Sequence, residues 1–253
     1  MPMLNLSEYF VSFDFQTRCS GVLLHPSSLP GPHGSGDFGP AAYHFVDWLQ
    51  SAGQTLWQML PLNPVGPGNS PYASVSAFAC NPLLIALEPL ITKGWLAPLP
   101  ESGLPGFAAN EVDYGRVIPW RMAQLRSAWQ GFCQHASDDD RLAFGHYCKR
   151  EQAWLDDYAL FMALDQLNNP PGQAFRAWCD WDPAIAQRQA RAMTDACAQN
   201  AQEIAFWQFV QWCFDDQWRA LRSYARSRGI FMIGDLPIFV AHHSADCWAR
   251  PDL

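Results

Sequence analysis

The chain has 253 residues, 49% hydrophobic and 16% charged, enough apolar surface for a substantial core and too much for a disordered chain. Its formal charge of −8 at pH 7 argues against a basic face for nucleic acid and against docking on an anionic membrane. Twelve Trp and sixteen Phe are expected mainly in the core, with a minority in loops able to stack on a neutral polyhydroxylated ligand.

Residues 1–18 read as a lead-in. Gly21-Val22-Leu23-Leu24-His25 reads as a short buried strand, running into a Pro- and Gly-rich loop from Pro26 to Gly39. Asp37 and Pro40 open a helix in which Ala41, Phe45, Trp48 and Ala52 recur at helical spacing, and Gly53 suits its C-terminal cap. Thr55 to Leu60 reads as a second buried strand, closed by Pro61. Strand, helix and strand in so short a span make a β-α-β unit. That implies parallel strands, in a doubly wound sheet or a (β/α)₈ barrel.

Asn63 to Ala79 is a long loop at the C-terminal end of the second strand, where both parallel architectures build their sites. From about Trp120 to Arg228 the pattern is helical. Trp154, Tyr158 and Phe161 share one stripe, and Trp207, Val210, Phe214, Trp218, Leu221 and Ala225 another, with Pro170-Pro171-Gly172 between them. This is too much helix for one crossover and reads as an insertion. Gly229 ends it, Ile230 to Ile233 reads as a third buried strand, and Gly234-Asp235-Leu236-Pro237 follows.

Asp235 is the leading polar candidate, either a carboxylate aimed into a site or a cap for its own loop. Tyr72 is either a packing residue beside Pro71 or a stacking, hydrogen-bonding group over a site. His242 and His243, read as neighbours on a strand, point to opposite faces and do not readily share a metal. Eight cysteines lack zinc-ligand spacing and C-x-x-C pairs, so no metal and no cofactor is expected. Gly31, Gly34, Gly36 and Gly39 read as turn residues, without the spacing or the Lys of a phosphate loop. Ser27, Ser28, Ser70 and Ser244 lie in no G-x-S-x-G elbow. The first residues have no signal-peptide pattern, so a cytoplasmic location is the expectation.

Five stretches, taken in order, resemble the N-terminal part of the amylomaltases, the 4-α-glucanotransferases of glycoside hydrolase family 77. They are Leu24-His25-Pro26-Ser27-Ser28-Leu29-Pro30-Gly31-Pro32, Trp57 to Leu62, Ser70-Pro71-Tyr72-Ala73-Ser74 through Pro82, the pair Val112-Asp113-Tyr114 and Asp157-Tyr158-Ala159-Leu160-Phe161, and Ile233 to Ala241 continued by Ser244-Ala245-Asp246 and Trp248-Ala249, with His242 and His243 departing from the family pattern. The resemblance implies an α-amylase-like (β/α)₈ TIM barrel with helical insertions. It also implies transfer of α-1,4-glucan segments between maltooligosaccharides by a retaining double displacement between two carboxylates. Tyr72, Asp235 and, more weakly, Ser70 match family positions that contact the sugar.

The family nucleophile lies in an Arg-x-Asp-His-Phe-like motif, which this sequence does not contain. The resemblance therefore implies a barrel incomplete in this chain, truncated before the catalytic carboxylates and inactive alone. The expected divisions are a lead-in at 1–18, the first β/α units with the long loop at 19–110, a mainly helical insertion at 111–228, and the third strand with its loop at 229–253. The alternative is a non-catalytic carbohydrate-binding or interaction protein reusing part of the fold.

Overall fold

The computed structural model describes residues 18–99 and 104–252, so the lead-in expected at 1–18 lies, but for Arg18, outside the described residues. Three short strands, β1 (Gly21–Leu23), β2 (Leu56–Gln58) and β3 (Phe231–Ile233), form one parallel sheet in the order β1-β2-β3. Trp57 stands opposite Val22 on one side and Met232 on the other. The α/β class and the parallel pairing match the expectation.

The expected burial of the outer strands does not hold. Leu23 is 56% exposed and Ile233 40%. Among the described residues β1 and β3 each have one strand neighbour, so an edge and part of a face of each meets solvent. Only β2 has neighbours on both sides, and its Trp57 is the one fully buried strand side chain. The Trp57 indole donates to the Leu24 carbonyl at 2.8 Å, which satisfies its polar edge inside the core.

The first helix, α1 (Pro40–Ser51), starts as the sequence predicts, with Pro40 in its first turn. The capping residue is Gly39, whose amide donates to Asp37 Oδ1 at 2.9 Å. Gly53 takes φ +69° just past the helix, a conformation that favours glycine. The buried face is one position on from the expected stripe: Ala42, Val46 and Leu49 are fully buried, while Trp48 is 48% exposed. Phe45 and Trp48 stack at the margin of that face, where Phe45 meets Trp57 edge-on.

A short helix, α2 (Glu88–Thr92), precedes two long ones, α3 (Tyr114–His135) and α4 (Asp138–Asn168). Helix α3 begins six residues earlier than Trp120 suggested, because Asp113 caps it by accepting from the Arg116 amide, and Pro119 falls inside it. Ser137 caps α4 by accepting from the Asp140 amide at 3.1 Å, and Asp138, Asp139 and Asp140 face the positive end of the helix. After α5 (Pro183–Ala186) and α6 (Ala190–Gln199), the long α7 (Ala201–Ser227) packs along α4 and returns to the sheet beside β3. Its predicted stripe is the buried face, with only Trp218 part-exposed. Gly229, at φ +73°, turns the chain into β3.

Most of the aromatic residues do pack the core. Trp95, Trp129, Phe132, Phe144, Phe209 and Trp212 form one cluster between α3, α4 and α7, with ring centroids 5.0–6.2 Å apart. Each such pair contributes about 0.5–1.5 kcal/mol beyond the area it buries. One charge is fully enclosed. Arg121 of α3, 0% exposed, grips Asp37 Oδ2 at 2.9 and 3.0 Å and the carbonyls of Leu83 and Ile85 at 2.6 and 3.0 Å. It ties the loop after β1 to the segment before α2. The last helix, α8 (Ala245–Ala249), closes the described fold against α4. Among the described residues no helix is long and apolar enough to cross a membrane.

Candidate functional site

Parallel strands send their following loops to one rim, so the loops after β1, β2 and β3 gather at the same end of the sheet. The loop after β2 carries Ser70 and Tyr72, and the loop after β3 carries Asp235. These two loops touch. The Tyr72 hydroxyl donates to Asp235 Oδ2 at 2.6 Å, across 163 positions of the chain. Asp235 Oδ1 accepts from the Leu236 amide at 2.8 Å. One oxygen of Asp235 thus shapes its own loop, as the capping reading expects, and the other faces Tyr72.

Ser70 stands in the same turn, where its hydroxyl accepts from the Tyr72 amide at 3.3 Å. All three sequence-predicted residues are thus brought together on one side-chain and backbone network. Tyr72, 41% exposed, and Asp235 both reach solvent. The hydrogen bond to Asp235 holds the Tyr72 phenol above its ordinary range, so it remains a donor at neutral pH. Donor, carboxylate and an exposed aromatic face side by side are the groups that grip a hydroxyl-rich ring.

The Tyr72 loop is irregular in sequence but firmly anchored. Asn63 Nδ2 donates to the carbonyls of Ser76, Ala77 and Ala79 at 3.0–3.1 Å. Gln211 of α7 pairs with both backbone groups of Cys80, accepting from its amide at 2.8 Å and donating to its carbonyl at 2.9 Å. Gln217 does the same for Ala86, at 2.8 and 3.0 Å. Asp246 Oδ2 accepts from the Ala77 amide at 2.8 Å. The sequence reading missed these four anchors. A signal existed for the glutamines alone: both are amides within the otherwise apolar face of α7.

Beside the loop, Phe78 is 60% exposed and stacks on Trp154 of α4, their planes 20° apart. The pair lines a largely apolar cavity of about 580 Å³ bounded by Asp157, Val240 and Arg250. A second cavity, of about 400 Å³, opens between Ser27–Ser35 and Ala108–Val112. Neither includes Tyr72 or Asp235 in its lining.

His242 and His243 lie in a bend ahead of α8, not on the strand expected of them. The bend follows from tertiary contacts of both. His243 Nδ1 accepts from the Trp178 amide at 3.1 Å while Nε2 meets Asp165 at 2.9 Å, and His242 stacks on the Trp178 ring. With Nδ1 accepting, the neutral ring carries its proton on Nε2 and donates to Asp165. Among the described residues no group of three or more His, Cys, Asp or Glu stands close enough to hold a metal. Burial pushes the Cys80 thiol up to about 12, which makes it unreactive near neutrality.

A family model described as 4-alpha-glucanotransferase matches residues 24–253. The 4-alpha-glucanotransferase of Thermus thermophilus is 45% identical over 235 residues, which cover 93% of this chain and 45% of that protein. The Synechocystis 4-alpha-glucanotransferase is 42% identical over 235 residues, 93% of this chain and 46% of its own length. Among solved structures, the amylomaltase from Streptococcus agalactiae in complex with acarbose superposes with a TM-score of 0.84 at 33% identity, over 94% of this chain and 47% of that one. The chain thus spans about half the length of the curated relatives it matches. By the match over nearly all of its residues, this chain belongs to the 4-alpha-glucanotransferase family.

Proposed function

We propose that this chain supplies the sugar-gripping part of a 4-α-glucanotransferase that transfers α-1,4-glucan segments between maltooligosaccharides. The observation that carries the reading is the hydrogen bond between Tyr72 and Asp235, made by two family-matched residues from adjacent strand loops. Tyr72 stacks on a glucose unit and accepts from its hydroxyls through the phenol oxygen while donating to Asp235, Asp235 accepts from neighbouring hydroxyls, and Ser70 shapes the turn that presents Tyr72. The relative from Streptococcus agalactiae that binds acarbose supports an α-glucan as the ligand class.

In this reading residues 19–110 and 229–253 are the first units of a (β/α)₈ barrel, and 111–228 is a helical insertion. The strands' exposed outer edges fit a sheet whose further staves are not in this sequence. The retaining displacement itself needs a carboxylate nucleophile and a second carboxyl group about 5–5.5 Å away. No Arg-x-Asp-His-Phe motif is present to supply the first. The chain binds glucan without turning it over, and works in a reducing, cytoplasmic setting that suits its eight free thiols.

The test has two arms. Isothermal titration with maltoheptaose measures binding by the chain and by its Asp235→Asn and Tyr72→Phe variants; affinity lost in both variants supports the reading. Incubation with maltotriose looks for longer and shorter products. Disproportionation by this chain alone, or maltoheptaose binding indifferent to both substitutions, overturns it.

A further inference from the structure

The loops that carry Tyr72 and Asp235 are linked twice. Where the second loop leaves β3, the Tyr72 hydroxyl meets Asp235. Where that loop ends in α8, Asp246 Oδ2 accepts from the Ala77 amide at 2.8 Å, and the Ala245 amide donates to the Val75 carbonyl at 2.8 Å. The links close a ring that runs from Tyr72 to Ala77 along one loop, across to Asp246, back to Asp235 along the other, and across to Tyr72. Asn63 and Gln211 also hold the first loop, but they attach it to its own base and to α7, neither of which carries Asp235. Among the described residues, Asp246 is the side chain that ties α8, at the far end of the Asp235 loop, to the Tyr72 loop.

Its own seat is firm. Ser244 Oγ accepts from the Cys247 amide at 3.2 Å and caps α8. Trp248, 0% exposed, donates to the Ile185 carbonyl at 3.1 Å and anchors the same helix in the core. A carboxylate accepting from a backbone amide is a strong, directional link. Mounted on a fixed helix, it sets where Ala77 lies and, through five residues of loop, where Tyr72 lies.

We propose that Asp246 is a positioning residue for glucan binding, whose bond to the Ala77 amide sets the spacing at which Tyr72 meets Asp235. The proposal rests on the reading of Tyr72 and Asp235 as glucan contacts, and Asp246 acts through them.

Two readouts test it on the whole chain. The first is maltoheptaose affinity. Asp246→Ala weakens it about tenfold, the cost of one charge-assisted hydrogen bond. Asp246→Asn, which keeps an oxygen acceptor, recovers most of the loss. In a Tyr72→Phe background Asp246→Ala adds nothing further, since coupled residues are non-additive. The second readout is spectrophotometric titration of the phenols, with Tyr72 isolated by subtracting the Tyr72→Phe variant. Asp235 holds that phenol above its ordinary range. In Asp246→Ala the Tyr72 step moves to lower pH as the pair separates, and in Asp246→Asn it stays in place.

If Asp246→Ala does not fold, Asp246→Ser gives the same comparison, because its hydroxyl stops short of the amide yet still suits a helix start. A Tyr72 step unmoved in the folded variant, or additive losses of affinity, overturns the proposal. A chain that never binds maltoheptaose overturns the glucan reading instead, and the phenol titration still decides whether Asp246 sets the pair.

Discussion

The Tyr72 hydroxyl and the Asp235 carboxylate meet at 2.6 Å, joining loops that leave neighbouring parallel strands. Each residue alone has an ordinary structural explanation, a tyrosine beside proline and an aspartate capping a turn. Their meeting does not come from either loop's local geometry. It comes from the order of the strands, which sets the two loops side by side, and from the anchors that fold the longer loop inward.

Tyr72→Phe removes a hydroxyl that is exposed, so the fold hardly feels it. The thermal unfolding midpoint is expected to stay where it is in the wild-type chain. Maltoheptaose affinity falls several-fold, as the site loses one hydrogen bond. The phenol's folded value lies above its unfolded one, so its link to Asp235 is intact below the ordinary phenol range and lost as pH rises through the folded value. Glucan binding that holds up to the ordinary phenol range and weakens only above it in the wild-type chain, but not in Tyr72→Phe, is the matching pH signature.

Arg121→Ala is expected to destabilise the chain by about 3–5 kcal/mol, because it leaves the Asp37 carboxylate and the Leu83 and Ile85 carbonyls enclosed without their partner. Replacing both members, Arg121→Met with Asp37→Leu, costs much less, since no charge remains buried. Urea denaturation of the single and double variants makes the comparison. A double variant as unstable as Arg121→Ala would show that the pair is not what matters.

Asn63→Ala strips one donor from three carbonyls of the Tyr72 loop. The expected cost is about 1–3 kcal/mol, with the loss concentrated in the loop. Hydrogen exchange at residues 74–80 is therefore expected to quicken more than in α4 or α7. Uniform quickening over the whole chain would count against a local anchor.

Gly66→Ala tests how tightly the loop closes on itself. A Cβ built at Gly66 would stand 1.7 Å from the Ala73 carbonyl oxygen, far inside contact distance. Ala73 is the residue after Tyr72, so relief of the clash moves Tyr72. Maltoheptaose affinity is expected to fall at least as far as in Tyr72→Phe. Gly68, whose added Cβ meets nothing within 4 Å but whose φ is +69°, gives a control in which strain arises without a clash.

Burial holds His25 down at about 4, against a weaker upward pull from the Leu60 backbone. Its Nδ1 is enclosed without a hydrogen-bond partner. The native ring is therefore neutral where the unfolded chain, near 6.5, takes up a proton. Stability is full above pH 6.5 and falls as pH drops from 6.5 toward 4, by roughly 2–3 kcal/mol in that window. Urea midpoints at pH 7.5 and 4.5 measure the slope, and His25→Asn is expected to flatten it. An unchanged slope in the variant would assign the acid sensitivity to other groups.

Periodicity and turn chemistry made much of the fold legible. The three-and-four spacing of Trp207, Val210, Phe214, Leu221 and Ala225 predicted the buried face of α7, and Gly53 and Gly229 marked real helix ends. The stripe of α1 was misjudged by one position because its aromatic residues sit at the margin and smaller ones beneath. His242 and His243 were misplaced for a different reason: their bend is held by Trp178 and Asp165, far away in the chain.

By itself the sequence determined the α/β class, the parallel pairing, the long helices, the family and the three residues gathered at the candidate site. Only the tertiary structure decided that Tyr72 touches Asp235, that Asp246 links their loops, and that Gln211, Gln217 and Asn63 hold backbone groups. Helical and strand patterns repeat, so they can be read from spacing. A side chain bonded to a distant amide or carbonyl leaves no such trace, because every backbone offers the same donor and acceptor and only the folded path selects which one arrives.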